Sequence, residues 1–163
     1  MTTDALFDTP ATHPEPVLPG RLGFSVSGVP VPQGSKVKNR YGAIYDSNKA
    51  LQPWRVAVTE AAEAARTEAG HQHWLGPVRL IVVFRFARPG SHYGTGRNAG
   101  TLRGGAPRLW HAQTPDADKC LRAVCDALTF AGVWRDDRQV ADLTVHKVWA
   151  QTPGADIAVE PLP

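Results

Sequence analysis

The run from Val78 to Phe86 limits the fold more than any other part of the chain. Val78, Leu80, Val82, Phe84 and Phe86 alternate along it, and Ile81 and Val83 make the opposite face apolar too. A strand that is apolar on both faces belongs inside a sheet, with a neighbour on each side. Pro77 precedes the run and Arg88-Pro89-Gly90 ends it, so the strand has sharp limits.

The remaining elements fall on either side of it. Leu22, Phe24 and Val26 alternate with small residues up to Gly28, which is the period of a half-buried strand. From Asn48 to Ala69, Leu51, Trp54, Val58, Ala61, Ala62 and Ala65 recur at spacings of three and four, which is a helix. Ser47 or Asn48 can cap it, Pro53 is tolerated near its start, and Gly70 stops it. Leu121, Val124, Cys125 and Leu128 form the apolar stripe of a second helix that begins at Pro115-Asp116 and ends at Gly132. Val140, Leu143, Val145, Val148 and Trp149 alternate imperfectly as a strand, and Ile157 with Val159 suggests a short final one. The order is β-α-β-α-β-β. It predicts an α+β fold, a two-layer sandwich with both helices packed on one face of a mixed β-sheet.

A chain of 163 residues is one domain by size. Residues 1–20, rich in Pro, Thr and Asp, read as a disordered arm without the basic and apolar regions of a secretory signal; residues 21–163 read as a single domain. No apolar run reaches the roughly 18 residues of a membrane span, and a cytoplasmic location is expected. Cys120 and Cys125 point in different directions on one helix and read as reduced thiols. His71 and His73 lie beside no acidic cluster and read as an exposed turn, while His111 reads as a strand-end histidine.

The net charge of +3 separates few functions. Its distribution says more. Lys36, Lys38 and Arg40 follow the Val29-Pro30-Val31-Pro32-Gln33-Gly34-Ser35 turn, and Arg97, Arg103 and Arg108 lie in a Gly-rich stretch that contains no Asp or Glu. These six residues are the candidate contacts to a nucleic-acid backbone, and residues 88–108 are expected to form a mobile basic loop.

Acids gather instead between Thr114 and Val140. Asp116 and Asp118 open the second helix, where its macrodipole favours negative charge, and Asp136 and Asp137 follow the turn at Gly132. Carboxylates are the ligands a hard divalent cation takes. Acids at a first turn are also ordinary helix starts, and spacing alone does not join the two pairs into one cluster.

The stretch resembles the RusA-like Holliday junction resolvases, endonucleases of the phage and prophage type. The resemblance rests on Asp116-Ala117-Asp118, Arg122, Asp126-Ala127-Leu128, Ala131-Gly132-Val133-Trp134, and Asp136-Asp137 with Gln139-Val140, and the Val29–Lys36 segment is similar to the opening of many members. It implies a homodimer that binds four-way DNA junctions and nicks two strands symmetrically during recombination and repair, with Mg²⁺ as cofactor and Mn²⁺ as a substitute. It implies metal ligation by Asp116, Asp118 and Asp137, and catalytic roles for these three with Arg122 and Lys119. Arg122 stands where the family carries a lysine, and Lys119 where it carries an asparagine. Arginine can stabilise phosphate charge but stays protonated, so a non-cleaving branched-DNA-binding protein of the same fold is the alternative. Asp136 reads as a residue supporting the metal ligands or as a structural neighbour, Asp126 as a helix-face acid or an ion-pair partner, and Trp134 as packing.

Overall fold

The computed structural model describes residues 20–34, 37–38, 40–42, 44–45 and 48–163. All but the last residue of the expected N-terminal arm therefore lies outside the described residues, as do Lys36 and Ser47. The elements in order are β1 (Leu22–Ser27), β2 (Val37–Lys38), β3 (Ile44–Tyr45), α1 (Leu51–Ala69), β4 (Val78–Ala87), α2 (Ala117–Phe130), β5 (Val140–Ala150) and β6 (Gly154–Pro161). Four strands form one mixed sheet in the order β1-β6-β4-β5, and β2 and β3 pair separately as a small hairpin. β4 is central, as its two apolar faces require. It runs parallel to β5 and antiparallel to β6, while β1 lies antiparallel on the far side of β6.

The parallel pair dictates where α2 goes. Parallel strands need a long crossover, and α2 supplies it between β4 and β5. The helix returns against the direction of both strands, so its N-terminus lies at their carboxyl edge. Its 14 residues rise about 21 Å. The even-numbered residues of β4 from Val78 to Phe86 are buried beneath the helices, against Trp54 and Val58 of α1 and Val124 and Leu128 of α2. Ala62, Ala123 and Ala127 are buried in the same core, where small side chains let the two helices approach closely. Arg66 fastens the pair by donating to the carbonyls of Ala131 and His71.

The opposite face of the sheet carries charge. Arg79 pairs with Asp142 at 2.6 Å and Glu160 at 3.6 Å, Arg21 reaches Glu160, and Arg85 reaches Asp156, to which Ser25 Oγ also donates. Ile81 and Val83 are half-buried among these pairs. Their apolar character reflects the interior position of β4 rather than a second helical layer.

Three local readings are corrected. α1 starts at Leu51, because Asn48 Oδ1 accepts the Ala50 N–H at 3.1 Å and holds the preceding residues in a turn. A hairpin occupies the segment read as a plain basic loop. β6 spans eight residues rather than a short piece, since Gly154, Ala155 and Ala158 hide a buried strand behind small side chains.

Gly154 is fixed by space. A Cβ there would lie 2.3 Å from the Val26 carbonyl oxygen and 2.6 Å from Arg85 Nη2. Gly154→Ala is expected to destabilise the fold by about 2–4 kcal/mol, read as a lowered denaturant midpoint with an unchanged slope. A midpoint equal to that of the wild type would refute the packing.

Candidate active site

The segment entering α2 is built onto the free edge of β5. The Trp149 N–H donates to the Leu109 carbonyl at 2.8 Å and the His111 N–H to the Lys147 carbonyl at 2.9 Å, so residues 109–111 extend the sheet for one antiparallel bridge. His111 is buried there, stacked on Phe86 at 4.1 Å and tilted against Trp149 at 4.3 Å. Burial, with the nearby Lys147 ammonium, lowers its pKa and favours the neutral imidazole. It is thus a strand-end histidine whose ring is buried in the core.

Asp116 follows, with an extended backbone, at the position that caps α2. Its carboxylate makes no capping hydrogen bond. It instead meets Lys119 Nζ at 2.7 Å, with both side chains half-exposed. That hydrogen bond and the charge of Lys119 hold the Asp116 carboxyl below its ordinary pKa, with a smaller contribution from Lys147. Lys119 is raised in turn, by Asp116 first and also by Asp118 in the first turn. The Asp116 carboxylate is therefore already paired with a cation.

Arg122 is exposed one turn beyond Asp118, and Cys125 lies on the same face one turn further. Asp137 sits exposed in a 3-10 turn, Asp137–Gln139, beyond the helix end. Its charge, after burial itself, helps push the Cys125 thiol up to about 12. Asp137 thus folds back beside the second half of α2, and Cys125 is about 10 Å from Asp118 along the axis. The structure brings Asp116, Asp118 and Lys119 together, with Arg122 on the helix face leading towards Asp137. Among the described residues, no three His, Cys, Asp or Glu side chains form a ready cage for a metal ion.

The other acids hold structure. The Asp136 side chain accepts from the Arg138 N–H at 3.0 Å, and Gln139 Oε1 accepts from the Asp136 N–H at 3.2 Å, a reciprocal cap on the turn that presents Asp137. Gln139 Nε2 also donates to the Trp74 and Gly76 carbonyls, anchoring that turn to the start of β4. Asp126 pairs with Arg55 at 3.4 Å. Trp134 is buried and donates to Thr129 Oγ1.

The basic residues lie in two other segments, the hairpin and residues 88–108. Residues 88–108 contain two 3-10 turns, Gly90–His92 and Gly96–Asn98. Arg88 closes their base by donating to the Pro107 and Arg108 carbonyls, and Arg103 Nε donates to the Tyr93 carbonyl at 2.7 Å. Arg97, Arg103 and Arg108 are all exposed. Arg40 stacks over the Tyr41 ring at 4.7 Å between the hairpin strands. Lys36 lies outside the described residues, and of Lys38 only the backbone is described.

Two features were missed in the sequence. One is a cleft of about 640 Å³ beside Asp116 and Lys119, walled by Val29, Pro30, Val31 and Pro32 on one side and by Phe86 and Pro115 on another. The other is Lys147, whose ammonium reaches the Gln113 and Pro115 carbonyls. Its signal was the break in alternation at His146-Lys147 between Val145 and Val148.

With this geometry in view, comparison with known families is decisive. The model for endodeoxyribonuclease RusA matches residues 27–160. The chain belongs to the RusA endodeoxyribonuclease family. No curated protein matches it. No helix among the described residues is long and apolar enough to cross a membrane.

Members of a DNA-cutting family invite the question whether these residues suit a divalent cation. Mg²⁺ takes one or two carboxylates and fills the rest of its octahedron with water and phosphate oxygens. Two accessible carboxylates, one of them already paired with an ammonium, fit that requirement. Binding would require Asp116 to exchange Lys119 for the metal.

This competition has a measurable sign. Asp116 in the folded chain is expected to titrate below the usual carboxylate range, so its ion pair is intact above that range and is lost as pH falls through the lowered pKa. Lys119→Ala is expected to move the Asp116 titration upward, as read from the side-chain carboxyl ¹³C shift. An unchanged titration would mean that Lys119 does not hold Asp116.

Proposed function

We propose that this member of the RusA family is a Mg²⁺-dependent, structure-selective endonuclease that resolves four-way DNA junctions by paired symmetric nicks. It acts as a homodimer, one active site per strand to be cut, with Mn²⁺ able to replace Mg²⁺. The observation that carries the reading is the placement of Asp116 and Asp118. Two accessible carboxylates at the N-terminus of α2, one of them paired with Lys119, in a chain of a DNA-cutting family, suit a site that meets a metal and a phosphate together.

Each side chain has a task that follows from its position. Asp116 and Asp118 would hold the metal and orient its waters; Asp137, set beside Cys125 about 10 Å further along the helix axis, would be a ligand to a second ion rather than to the same one. The ion, when bound, polarises the phosphoryl oxygen and favours hydroxide from a bound water. The attacking water oxygen forms the new P–O bond as the bridging P–O bond breaks, and the leaving oxygen takes a proton. Arg122 stabilises charge on the phosphoryl oxygens; as a permanent cation it moves no proton. Lys119, once displaced from Asp116, is free to pair with the same phosphate. The helix N-terminus favours the anion further. Arg40, Arg97, Arg103 and Arg108, with Lys36 and Lys38, supply the sequence-independent contacts to flanking phosphates.

The test is a labelled four-way junction incubated with the protein in Mg²⁺ or in EDTA. Wild-type protein is expected to make paired nicks only with Mg²⁺. Asp116→Asn, Asp118→Asn and Asp137→Asn are each expected to abolish nicking while binding the junction as tightly or more so, because one negative charge facing phosphate is removed. Binding without metal-dependent nicking would favour the non-cleaving reading, which the Asp116–Lys119 pair and Arg122 keep in contention. Normal cutting by all three variants would refute the metal assignment.

A further inference from the structure

The endonuclease reading assigns Asp116, Asp118, Asp137, Arg122 and Lys119, and leaves out the side chain most firmly tied to the approach to α2. Lys147 lies on β5, three residues from its end at the carboxyl edge of the parallel pair. Its ammonium donates to two carbonyls, those of Gln113 and Pro115, the second directly preceding Asp116. Its backbone carbonyl accepts the His111 N–H. One residue thus grips the segment 111–115 at three points. Its ammonium also passes 5.8 Å from the centre of the Phe86 ring, the ring on which His111 stacks.

The charge is as informative as the hydrogen bonds. A lysine at the N-terminal end of a helix opposes the macrodipole, which places partial positive charge there. Here the ammonium is held by two carbonyls instead, the second of them directly before Asp116 in the chain. The ammonium also counters the rise of the Cys120 thiol, in the first turn of the buried helix face, whose pKa burial pushes up to about 11. Lys147 is therefore half-buried against the chain that enters α2, while Lys119 and Arg122 are exposed. Its two donors are committed to carbonyls, which distinguishes it from a cation waiting for phosphate.

We propose that Lys147 is a positioning residue for the metal site. It pins the Gln113–Pro115 segment so that the Asp116 carboxylate is presented at the first turn of α2 with Asp118. Groups that orient a metal ligand from behind are worth about 10–100-fold in metal affinity or activity when lost. This inference rests on the endonuclease reading and adds a residue to it.

The test uses the full-length protein and Mn²⁺ alone, with free Mn²⁺ followed by its paramagnetic resonance. Lys147→Cys is expected to raise the Mn²⁺ concentration for half-saturation at least about tenfold. Junction binding in EDTA should stay within about twofold of wild type, since the lost charge is engaged inside the protein and not by phosphate. Aminoethylation of the new thiol with 2-bromoethylamine rebuilds an ammonium of nearly the same length and should restore the affinity. The native thiols of Cys120 and Cys125, with raised pKa values, react slowly, and the same treatment of Lys147→Ala should restore nothing.

Wild-type Mn²⁺ affinity in the unmodified Lys147→Cys variant would overturn the inference. So would aminoethylation that fails to restore affinity, or a variant whose cooperative thermal transition is lost, which would assign Lys147 to the fold alone. A wild-type protein that neither binds Mn²⁺ nor nicks would instead overturn the endonuclease reading beneath it.

Discussion

The parallel pairing of β4 with β5 is the constraint on which the rest depends. It forces a crossover, the crossover is α2, and α2 must run back against the strands. Its first turn is thereby delivered to the carboxyl edge of the pair, where helix dipole and open backbone N–H groups favour anions. Placing Asp116 and Asp118 at that end, with Lys119, Lys147 and Arg122 around them, gives a patch in which negative charge is held ready but balanced. The proposed site, which would accept both a divalent cation and a phosphodiester, needs that balance. Uncompensated carboxylates would repel DNA, and uncompensated lysines would repel the metal.

The same topology sends Asp137 elsewhere. Leaving α2 at its far end, the chain turns at Gly132, where φ is +67° and Arg66 Nη1 lies 3.0 Å from the position of a Cβ. The capped turn at Asp136 then presents Asp137 beside Cys125 and the start of β5. The carboxylates are thus distributed along one helix face, with Arg122 between them. A long, open line of alternating charge suits a polyanion lying along the helix better than it suits a small molecule in a closed pocket.

Much of this was legible in the sequence because it is written in periodicity. β4 declares its central position by two apolar faces, and α1 and α2 declare themselves by their stripes. The carboxylate pair and the family pattern were legible together in Asp116–Val140. The shape of the site was less so. Lys147 was hidden because a polar residue in a strand reads as an edge irregularity, and only the sheet order shows that it faces the N-terminus of α2. His111 reads as polar, yet its ring is the stacking partner of Phe86, 25 residues earlier in the chain. β6 was shortened in the reading because Gly154, Ala155 and Ala158 carry little hydrophobic signal, although packing requires small residues there. The separation of Asp137 from Asp118 depends on the length of α2 and the path of the return turn, which spacing does not fix.

The central claim is that a divalent cation binds at the first turn of α2, between β5 and the Val29–Pro32 segment. Paramagnetic broadening by substoichiometric Mn²⁺ in an amide-resolved NMR spectrum tests it directly. The account predicts that signals of residues 114–122 and 146–148 broaden first, that those of the C-terminal half of α1 persist, and that Asp118→Asn removes the effect. Broadening centred on His71 and His73, or unaltered by Asp118→Asn, would contradict it.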